Sequence, residues 1–561
     1  MYILGISAFY HDSAAVLLKN GQIICAIEEE RLSRIKHDNS FPLLAINQCL
    51  EEAGITINEV KAVAYYEKPL LKFERILESV VKDFPFSLKL FTRAIPDWLG
   101  NKIKVDSIIK TKLKHTGDIF YIPHHLSHAA AAFYTSPYKN AAILTTDGVG
   151  EYQTTALWIG EENRIKLIKS LNFPHSIGLL YSIFTSFLGF KVNEDEYKLM
   201  GLSAYGKPEY KHNIYKILDL ESDGSFQIKP GYLNLEDYRS PWTSNFTKLF
   251  GNPKKTSEPF RARHKNIAAS IQETTEEVYL RILNHLQSLT THADLCVGGG
   301  VGLNALANGK IYKNTLFKQC SVFGAAGDSG AALGAALFYW HSVLNNKPRT
   351  VLDNLKIGTS YETKDVQNTL KKKRIKYKQY SLDNLTTHVS KLLSGGAVVG
   401  WFQGQMEFGP RSLGGRSILA NPSKAGMKTK VNTIKLREQY RPFAGSVLQE
   451  KVHELFEVPE PNHSSPFMTF CFKVRPSKIS LLSSITHKDG TCRIQTVNES
   501  DPIYYQLIKK FNQLTGIPCL LNTSFNLGGE PIVETPEQAI TDFQKTKLDY
   551  LVIDNFLLSK K

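Results

Sequence analysis

The chain presents the same order of local structure twice, near its start and again about 140 residues later. Each copy begins with an apolar strand, at 2–8 and at 141–147, and continues through a loop into a hairpin. In the first hairpin Asn20 and Gly21 lie between two apolar runs, which is a strong hairpin signal because both residues tolerate positive φ. The repeat predicts two related α/β halves with a cleft between them, and such clefts commonly hold ligands.

A chain of 561 residues is too long to fold around one hydrophobic core, so several domains are expected. A polar stretch that contains Pro348 interrupts the pattern after the two related halves. We therefore predict a first domain at 1–345, a linker at 346–360 and a second α/β domain at 361–561.

Individual elements can also be predicted from their apolar patterns. Residues 42–53 predict a helix, since a proline suits its start and a glycine follows its end. Residues 324–340 predict a glycine-rich turn followed by a helix of small residues that packs closely against its neighbours. In the second domain, apolar runs predict strands at 397–403, at 467–474 and around 518–525.

The composition excludes several classes of protein. Hydrophobic residues make up 42% and charged residues 22% of the chain, which excludes a disordered or collagen-like chain. No apolar stretch is long enough to cross a bilayer, so no membrane partner is expected. The net charge is +15, yet the basic run at 371–378 does not interleave aromatics with arginines, so no nucleic-acid partner is expected.

The cysteines and the N-terminus indicate the cellular compartment. The seven cysteines are odd in number and no two have CxxC spacing, so neither a disulfide framework nor a zinc ribbon is expected. The first residues lack the basic region of a signal peptide and are typical of a first strand. Together these patterns predict a protein of the reducing cytoplasm.

Two histidines and two aspartates are candidate metal ligands. His124 and His128 are four residues apart in a stretch that favours a helix, so one helix face carries both. Asp147 ends a predicted strand, and Asp328 begins a predicted helix. Taken one by one, these residues also have ordinary structural explanations. The histidines could simply form hydrogen bonds, Asp147 could be a turn aspartate and Asp328 could be an N-cap. As one set, they suit iron, manganese or zinc.

Glycines follow both predicted strands of the second half. Gly148 and Gly150 follow Asp147, and the stretch GGGVGLN supplies Gly299 and Gly300. Residues without Cβ allow the backbone to approach a nucleotide closely. Asn304, at the end of that stretch, can hydrogen-bond a base or a ribose.

His11 lies in the loop after the first strand. This loop is the place in the first half that corresponds to Asp147 in the second half, so both side chains are expected to face one cleft. A general base at His11 follows from that placement, and the alternative is a hydrogen-bonded turn histidine.

The second domain combines cations with glycine turns and polar side chains. Arginines beside glycine turns suit planar, bidentate recognition of oxyanions, whereas surface salt bridges would not explain the apolar and glycine neighbours. No GxxxxGK[ST] sequence is present, which excludes an ordinary Walker-type ATPase. The candidate phosphate-site residues are Arg411, Arg416, Lys435, Arg437, Arg441, Asn522, Ser524 and Asn526.

Taken together, these motifs resemble the O-carbamoyltransferases of the NodU/CmcH type, which modify nodulation factors, cephalosporins, aminoglycosides and other natural products. The resemblance covers essentially the whole chain. In the first part it rests on HDSAA, EEERLSR, HHLSHAAAAFY, DGVGE, DEYKLMGLSAYG, GGVGLN and GDSGAALGAA. In the second part it rests on EFGPRSLGGRSIL, REQYRPFAGSVL and NTSFNLGGEPIV.

The resemblance implies an α/β fold with a duplicated actin-like ATPase (ribonuclease H-like) N-terminal domain and a C-terminal YrdC-like α/β domain. It also implies a reaction in two steps. Carbamoyl phosphate and ATP first give carbamoyl-adenylate in the YrdC-like domain. An acceptor hydroxyl then attacks the carbamoyl carbonyl in the N-terminal domain, and AMP leaves.

The resemblance also implies roles for particular residues. The four candidate metal ligands match the family's metal site, where iron, as Fe(II), is expected. His11 matches the histidine taken as the general base on the acceptor hydroxyl. Lys435 with Arg437 forms a KxR pair and Ser524 with Asn526 an SxN pair, and both pairs mark nucleotide and carbamoyl binding in YrdC-like domains.

Further ligands and partners follow from the resemblance. ATP, with Mg²⁺, and carbamoyl phosphate are expected as substrates, a small-molecule hydroxyl compound as acceptor, and a homodimer as the assembly. Glu196 and Lys198 match a family motif without a derivable role. Loops within 68–118 and 210–262 lack motifs and are expected to select the acceptor.

Three other functions compete with this interpretation. A small-molecule kinase of the actin-like superfamily would explain only the first 340 residues. A fused threonylcarbamoyl-transferring tRNA enzyme would suit the basic charge but lacks a visible RNA-binding element. A non-catalytic nucleotide-binding scaffold would leave His11 and the candidate metal ligands without a purpose.

Overall fold

The computed structural model describes residues 1–82, 100, 102–234 and 241–560. By its internal contacts the chain divides into two compact units. The first unit comprises Met1–Glu29 and Asn39–Val351, and the second comprises Glu30–Asp38 and Leu352–Lys561. Residues 83–99, 101 and 235–240, which belong to the loops predicted to select the acceptor, lie outside the described residues.

The first unit contains a five-stranded sheet of order β3-β2-β1-β4-β5. Strand β1 pairs antiparallel with β2 and parallel with β4, while β3 and β5 form the two edges. The strands are β1 (Tyr2–Ser7), β2 (Ala14–Lys19), β3 (Gln22–Glu28), β4 (Val60–Tyr65) and β5 (Asp118–Tyr121).

A second five-stranded sheet in the same unit repeats this pattern. Its order is β12-β11-β6-β7-β8, with β6 antiparallel to β7 and parallel to β11. The strands are β6 (Asn140–Thr146), β7 (Gln153–Glu161), β8 (Arg164–Asn172), β11 (Asp294–Gly298) and β12 (Gln319–Val322), and β9 (Leu218–Leu220) with β10 (Phe226–Ile228) forms a separate hairpin. The matching orders confirm the predicted duplication and the α/β class of this unit.

Among the described helices before Val351, α1 belongs largely to the second unit and the others to the first, and two of the latter decide the geometry of the site. The helices up to Val351 are α1 (Glu29–Ser33), α2 (Leu43–Ala53), α3 (Pro69–Lys82), α4 (Val105–Leu113), α5 (His124–Tyr134), α6 (Ile177–Phe187), α7 (Glu196–Ser203), α8 (Lys211–Ile214), α9 (Ser244–Phe250), α10 (Ala262–Ser288), α11 (Ala305–Asn308), α12 (Ile311–Asn314) and α13 (Asp328–Phe338). Helix α2 confirms the helix predicted at 42–53.

Helices α5 and α13 approach each other closely because small residues line their contact. A Cβ added at Gly334 would lie only 1.8 Å from the carbonyl oxygen of Ser127, so no larger residue fits there. Helix α13 is the small-residue helix predicted from the sequence. Its close approach brings the start of α13 to the same place as the histidine-bearing face of α5.

The second unit is built on a nine-stranded mixed sheet of order β13-β21-β20-β14-β15-β19-β16-β18-β17. The strands are β13 (Lys378–Gln379), β14 (Val399–Phe402), β15 (Arg416–Ala420), β16 (Ala444–Leu448), β17 (Phe470–Lys473), β18 (Thr491–Val497), β19 (Cys519–Ser524), β20 (Tyr550–Ile553) and β21 (Phe556–Ser559). Its helices are α14 (Thr363–Lys372), α15 (Leu382–Ser394), α16 (Met427–Ile434), α17 (Val452–Leu455), α18 (Pro502–Thr515) and α19 (Pro536–Lys545). The three strands predicted in this domain are confirmed as β14, β17 and β19.

Two predictions from composition can be compared with the fold. All seven cysteines are buried free thiols, as expected for a chain without a disulfide framework. In the described parts of the chain, no helix is both long enough and apolar enough to span a bilayer.

Candidate functional site

The four predicted metal ligands come together in the first unit. His124 and His128 lie on one face of α5, Asp147 follows β6, and Asp328 is the first residue of α13. One ligand atom from each residue lies within 4.8 Å of the others. The sequence places these residues up to 204 positions apart (from 124 to 328), so the fold alone brings them together.

The distances between the ligand atoms suit one bound cation. Nε2 of His128 lies 3.1 Å from Nε2 of His124, 2.8 Å from Oδ2 of Asp147 and 3.6 Å from Oδ1 of Asp328. Atoms that bind a single transition-metal ion at about 2.1 Å lie roughly 3.0–3.4 Å apart. The cluster therefore needs only small adjustments to hold an ion.

One buried oxygen of this cluster has no hydrogen-bond partner. Oδ2 of Asp328 is buried and unpartnered, and Nε2 of His11, 3.9 Å away, is too far to donate to it. A buried carboxylate oxygen without a partner is costly unless a cation or a donor satisfies it. The residues present thus fit a metal ion, because their donor atoms are of a suitable type and one buried carboxylate oxygen still lacks a partner.

Glu151 positions the histidine helix, a role that the sequence does not predict. Its carboxylate accepts hydrogen bonds from the backbone N–H of His124, at 3.0 and 3.1 Å, and of Lys68, at 2.7 Å. A carboxylate at the start of a helix satisfies free N–H groups and favours the helix dipole. The motif DGVGE contained the only sequence signal for this residue.

The charges of the cluster shift the pKa values of its members. Burial lowers the pKa of His128, but hydrogen bonds and ion pairs with Asp147 and Asp328 outweigh it and raise that pKa to about 9. Burial raises the pKa of both carboxyls, but the neighbouring histidines outweigh it and hold both values below the ordinary range. His125 points away from the cluster, and burial lowers its pKa to about 3.

The structure places His11 beside the cluster, as its position in the repeat predicted. Its Nδ1 lies 3.0 Å from Oδ2 of Asp12, and its Nε2 faces Asp328. Burial lowers the pKa of His11, but Asp328, Asp12 and Asp147 outweigh it and raise that pKa to about 10. About one fifth of its side chain is exposed.

Two of the predicted nucleotide-site glycines lie against the end of β6 and the residue that follows it. A Cβ added at Gly300 would lie 3.1 Å from Oδ1 of Asp147. Gly299 has φ +86°, and its Cβ position lies 2.3 Å from the carbonyl oxygen of Thr146, so both conformation and space require glycine. Asn304 has structural partners instead. Its side chain caps α11 and exchanges hydrogen bonds with Gln272.

The loop after β6 contains the other two predicted glycines. The backbone N–H of Gly148 donates to Oδ1 of Asp147 at 2.7 Å, which leaves Oδ2 facing the histidines. A Cβ added at Gly150 would lie 3.1 Å from the Cβ of His124. These glycines support the ligands in the structure, and nucleotide contact at them stays a prediction.

A buried ion pair that no sequence motif predicts lies near His11. Nζ of Lys72 lies 2.6 Å from Oε2 of Glu67, and both side chains are buried. The same Nζ lies 4.7 Å above the ring of Tyr10, which in turn contacts the ring of His11. The pair therefore fixes the loop that carries His11.

In the second unit, the KxR and SxN pairs meet. Nζ of Lys435 donates to the carbonyl oxygen of Ser524, to Oδ1 of Asn526 at 2.8 Å and to the carbonyl oxygen of Asn526 at 3.1 Å. Ser524 Oγ donates to Oδ1 of Asn526 at 2.7 Å. Burial, Arg437 and Arg441 together hold the pKa of Lys435 well below its ordinary value. A bound anion would relieve the repulsion between these neighbouring cations.

The other candidate residues of this domain have different surroundings. Arg437 donates to Oδ1 of Asn432 at 2.6 Å and lies over the ring of Phe443. Nδ2 of Asn522 donates to Ser446 Oγ at 3.0 Å, while its Oδ1 is buried without a partner. Arg441 forms a loose ion pair with Glu438, and Arg411 lies in the loop before β15.

Arg416 lies inside the sheet. Its side chain is fully buried, stacks on Phe402 and donates to the carbonyl oxygens of Gln403 and Gly404. Glu407 is nearby and accepts the backbone N–H of Arg416. None of these partners tests the predicted contact between Arg416 and phosphate, which stays a prediction.

The two motif residues without a derived role have structural partners. Oε1 of Glu196 accepts hydrogen bonds from Ser182 Oγ at 2.8 Å and from the backbone N–H of Asn193 at 2.9 Å. Nζ of Lys198 lies 2.8 Å from Oδ1 of Asp195. Both therefore organise the turn that leads into α7.

Known proteins resemble this chain along nearly its whole length. Residues 2–337 match the family described as the carbamoyltransferase N-terminus, and residues 390–560 match the carbamoyltransferase C-terminus. The uncharacterized protein sll1178 of Synechocystis sp. is 44% identical over 100% of this chain and 97% of its own length. The nodulation protein NolNO of Sinorhizobium fredii is 37% identical over 99% of this chain and 80% of its own. The 3'-hydroxymethylcephem-O-carbamoyltransferase of Streptomyces clavuligerus is 28% identical over 74% of this chain and 75% of its own.

Proposed function

The chain belongs to the carbamoyltransferase family, and from this premise we propose that it is an ATP-dependent O-carbamoyltransferase with two reaction sites. Family membership confirms the resemblance carried by the motifs and makes the chain an enzyme of carbamoyl transfer. We propose that carbamoyl phosphate and ATP give carbamoyl-adenylate in the second unit. The carbamoyl group then passes to a hydroxyl of a small-molecule acceptor in the first unit.

The observation that carries this proposal is the pair of separate charged clusters. The first unit groups two carboxylates with histidines, which suits a metal ion and proton transfer. The second unit groups Lys435 with Arg437 and Arg441 around the SxN pair, which suits phosphates. A kinase would need only one nucleotide site and would leave the second cluster unused.

The chemistry explains why an adenylate is needed. A carbamoyl group is a poor electrophile because its nitrogen donates electron density into the carbonyl. Carbamoyl phosphate, ATP and water together give carbamoyl-adenylate, pyrophosphate and phosphate. In the mixed anhydride with AMP, the nucleotide phosphate is a better leaving group than the oxygen of an unactivated carbamate. A closed site protects this anhydride from hydrolysis.

The cluster of the first unit would hold the expected iron through His124, His128, Asp147 and Asp328. A cation bound there supplies positive charge that stabilises the phosphate of the departing AMP. Zinc and manganese suit the same donors. Asp328, Asp12 and Asp147 raise the pKa of His11, so positive charge at Asp147 and Asp328 would offset part of this effect and would lower that pKa toward the range of a general base.

His11 is proposed to take the proton of the acceptor hydroxyl. We expect His11→Asn to keep its iron and to form carbamoyl-adenylate, but to transfer the carbamoyl group at least ~10²-fold more slowly. An amide can hold the hydroxyl by a hydrogen bond but cannot accept its proton. Quenched-flow measurement of product from preformed adenylate, with the best acceptor in a screen of hydroxylated compounds, gives the rate. A rate near that of the wild type would show that His11 only positions the acceptor.

Metal uptake should release protons. Without a bound cation His128 has a pKa of about 9 and is protonated at pH 7, and an imidazolium cannot ligate a metal. We therefore expect the apparent affinity for Mn²⁺ to rise between pH 7 and 9, by up to about tenfold per pH unit. Calorimetric titrations in buffers of different ionisation heat measure the released protons. An affinity that does not change with pH would contradict the assignment of His128 as a ligand.

The nucleotide product tests the proposed function against a kinase. Incubation with ATP, Mg²⁺ and carbamoyl phosphate should give AMP and pyrophosphate, because carbamoyl-adenylate that leaves the protein when no acceptor is present is hydrolysed in solution. A kinase would give ADP. Chromatographic detection of ADP as the only nucleotide product would overturn the proposal.

The homodimer implied by the resemblance stays a prediction.

A further inference from the structure

A short segment of the N-terminal sequence belongs to the second unit. Residues Glu30–Asp38, which contain most of the motif EEERLSR, share their contacts with Leu352–Lys561. The family motifs include this stretch, yet neither the metal cluster nor His11 uses it. Its contacts within the second unit therefore call for a separate explanation.

The segment holds two loops of the second unit by their backbone. Arg34 donates from Nη1 to the carbonyl oxygen of Ile532 at 2.6 Å and from Nη2 to that of Pro531 at 2.9 Å. Arg31 is buried and donates from Nη2 to the carbonyl oxygen of Gly409 at 2.7 Å. Hydrogen bonds from a charged donor are among the stronger ones in proteins.

The segment has a fixed shape of its own. Glu30 pairs with Arg31 at 2.7 Å and accepts the backbone N–H of His37 at 2.7 Å. These bonds join the two ends of the segment. Arg34, which lies between them, is therefore presented to its carbonyl partners in one conformation.

The loop that Arg34 holds leads directly to the Lys435 cluster. The carbonyl oxygen of Glu530, next to Pro531, accepts Nδ2 of Asn526 at 2.6 Å. Oδ1 of the same Asn526 accepts Nζ of Lys435 at 2.8 Å. The backbone N–H of Gly528 also donates to the carbonyl oxygen of Lys435 at 2.9 Å.

We propose that Arg34 is a positioning residue for carbamoyl-adenylate formation, because its two bonds fix the loop at 526–532 that orients Asn526 and Lys435. This inference rests on the proposed function of the second unit. It assigns to a residue of the predicted N-terminal domain a role in the C-terminal half-reaction alone.

Charge around Arg34 supports the same role. The carboxyl of Asp542 interacts with both Arg34 and Lys435, and Glu530 lies in the same neighbourhood. Without Arg34, Asp542 would lose a cation that faces it and would compete with substrate phosphates for Lys435. Loss of Arg34 should therefore disturb both the shape and the charge of the site.

Half-reactions of the full-length protein test this inference. We expect Arg34→Ala to form carbamoyl-adenylate about ten- to a hundredfold more slowly, roughly the effect of one lost charge-assisted bond, because Arg34 acts on the site only through the loop that it holds. Transfer from supplied carbamoyl-adenylate should keep the wild-type rate. Arg34→Lys should recover part of the adenylate formation, since an ammonium can donate to at least one of the carbonyls. Arg164→Ala, an exposed arginine on β8, is the matched control and should match the wild type in both rates.

The outcomes separate this inference from the proposed function. If the wild type forms no carbamoyl-adenylate, the proposed function itself fails. If the wild type forms it and Arg34→Ala does so at the same rate, the positioning role is wrong. If Arg34→Ala and Arg34→Lys lose both half-reactions to the same extent, the segment only stabilises the fold, and the inference is overturned.

Discussion

His124→Ala and His128→Ala are each expected to abolish carbamoyl transfer and to lower bound iron to a small residual. Both histidines present Nε2 to Asp147 and Asp328, and the four ligand atoms lie within 4.8 Å of one another. Removing one of two imidazoles leaves a site with too few ligands to compete for the ion. Elemental analysis of the purified variants and a transfer assay with supplied carbamoyl-adenylate measure the two effects.

His125→Ala is the matched control for these variants. His125 lies on the same helix and is equally buried, but its Nδ1 bonds to Thr145 Oγ1 at 2.9 Å and not to the cluster. We expect this variant to keep its iron, whatever small loss of stability follows from the lost hydrogen bond. Full metal content in both His124→Ala and His128→Ala would show that the metal, if any, binds elsewhere.

Arg437→Ala and Ser524→Ala are expected to stop carbamoyl-adenylate formation while transfer from supplied carbamoyl-adenylate continues. Ser524 joins Lys435 to Asn526 through its carbonyl and its hydroxyl. Arg437 adds positive charge beside Lys435, and phosphate binding depends on that charge. Pyrophosphate release and product formation from supplied adenylate measure the two half-reactions separately.

Arg374→Ala serves as the control for charge alone, because Arg374 is an exposed arginine of the same unit. It should behave as the wild type in both assays. Loss of both half-reactions in Arg437→Ala or Ser524→Ala, in protein with a native circular dichroism spectrum, would count against two separate sites.

Local patterns in the sequence were sufficient for much of the fold. The helix at 42–53 and the three strands of the second domain follow from apolar periodicity and from the glycine and proline residues at their ends. The repeated strand and hairpin order predicted the two matching sheets, because hairpins are decided by neighbouring residues. Positions at strand ends and on one helix face made His11 and the four candidate ligands candidates for one site, and the structure brings them together, while their roles stay predictions.

Long-range contacts could not be predicted in this way. Nothing local in Glu30–Asp38 indicates that it joins the second unit, since its partners at 409 and 531–532 are hundreds of residues away. Glu151 is a similar case, because its cap on α5 depends on the register of two distant elements.

Arg416 shows a related limit. A glycine turn suits an arginine that faces an anion, but the side to which its guanidinium points depends on the register of β15. In the structure that guanidinium is buried against Phe402. Whether a cation faces the inside or the outside of a sheet is decided by pairing with neighbouring strands, and no short motif contains that information.

Exchange of radiolabelled pyrophosphate into ATP tests the two-site account most directly. The wild-type protein with ATP, Mg²⁺ and labelled pyrophosphate should form labelled ATP only when carbamoyl phosphate is present, because only then does an adenylate exist to be reversed. The exchange should persist in His124→Ala, whose substitution lies in the other unit, and should be lost in Ser524→Ala. Exchange that does not require carbamoyl phosphate, or that is lost in His124→Ala but kept in Ser524→Ala, would contradict the assignment of adenylate formation to the second unit.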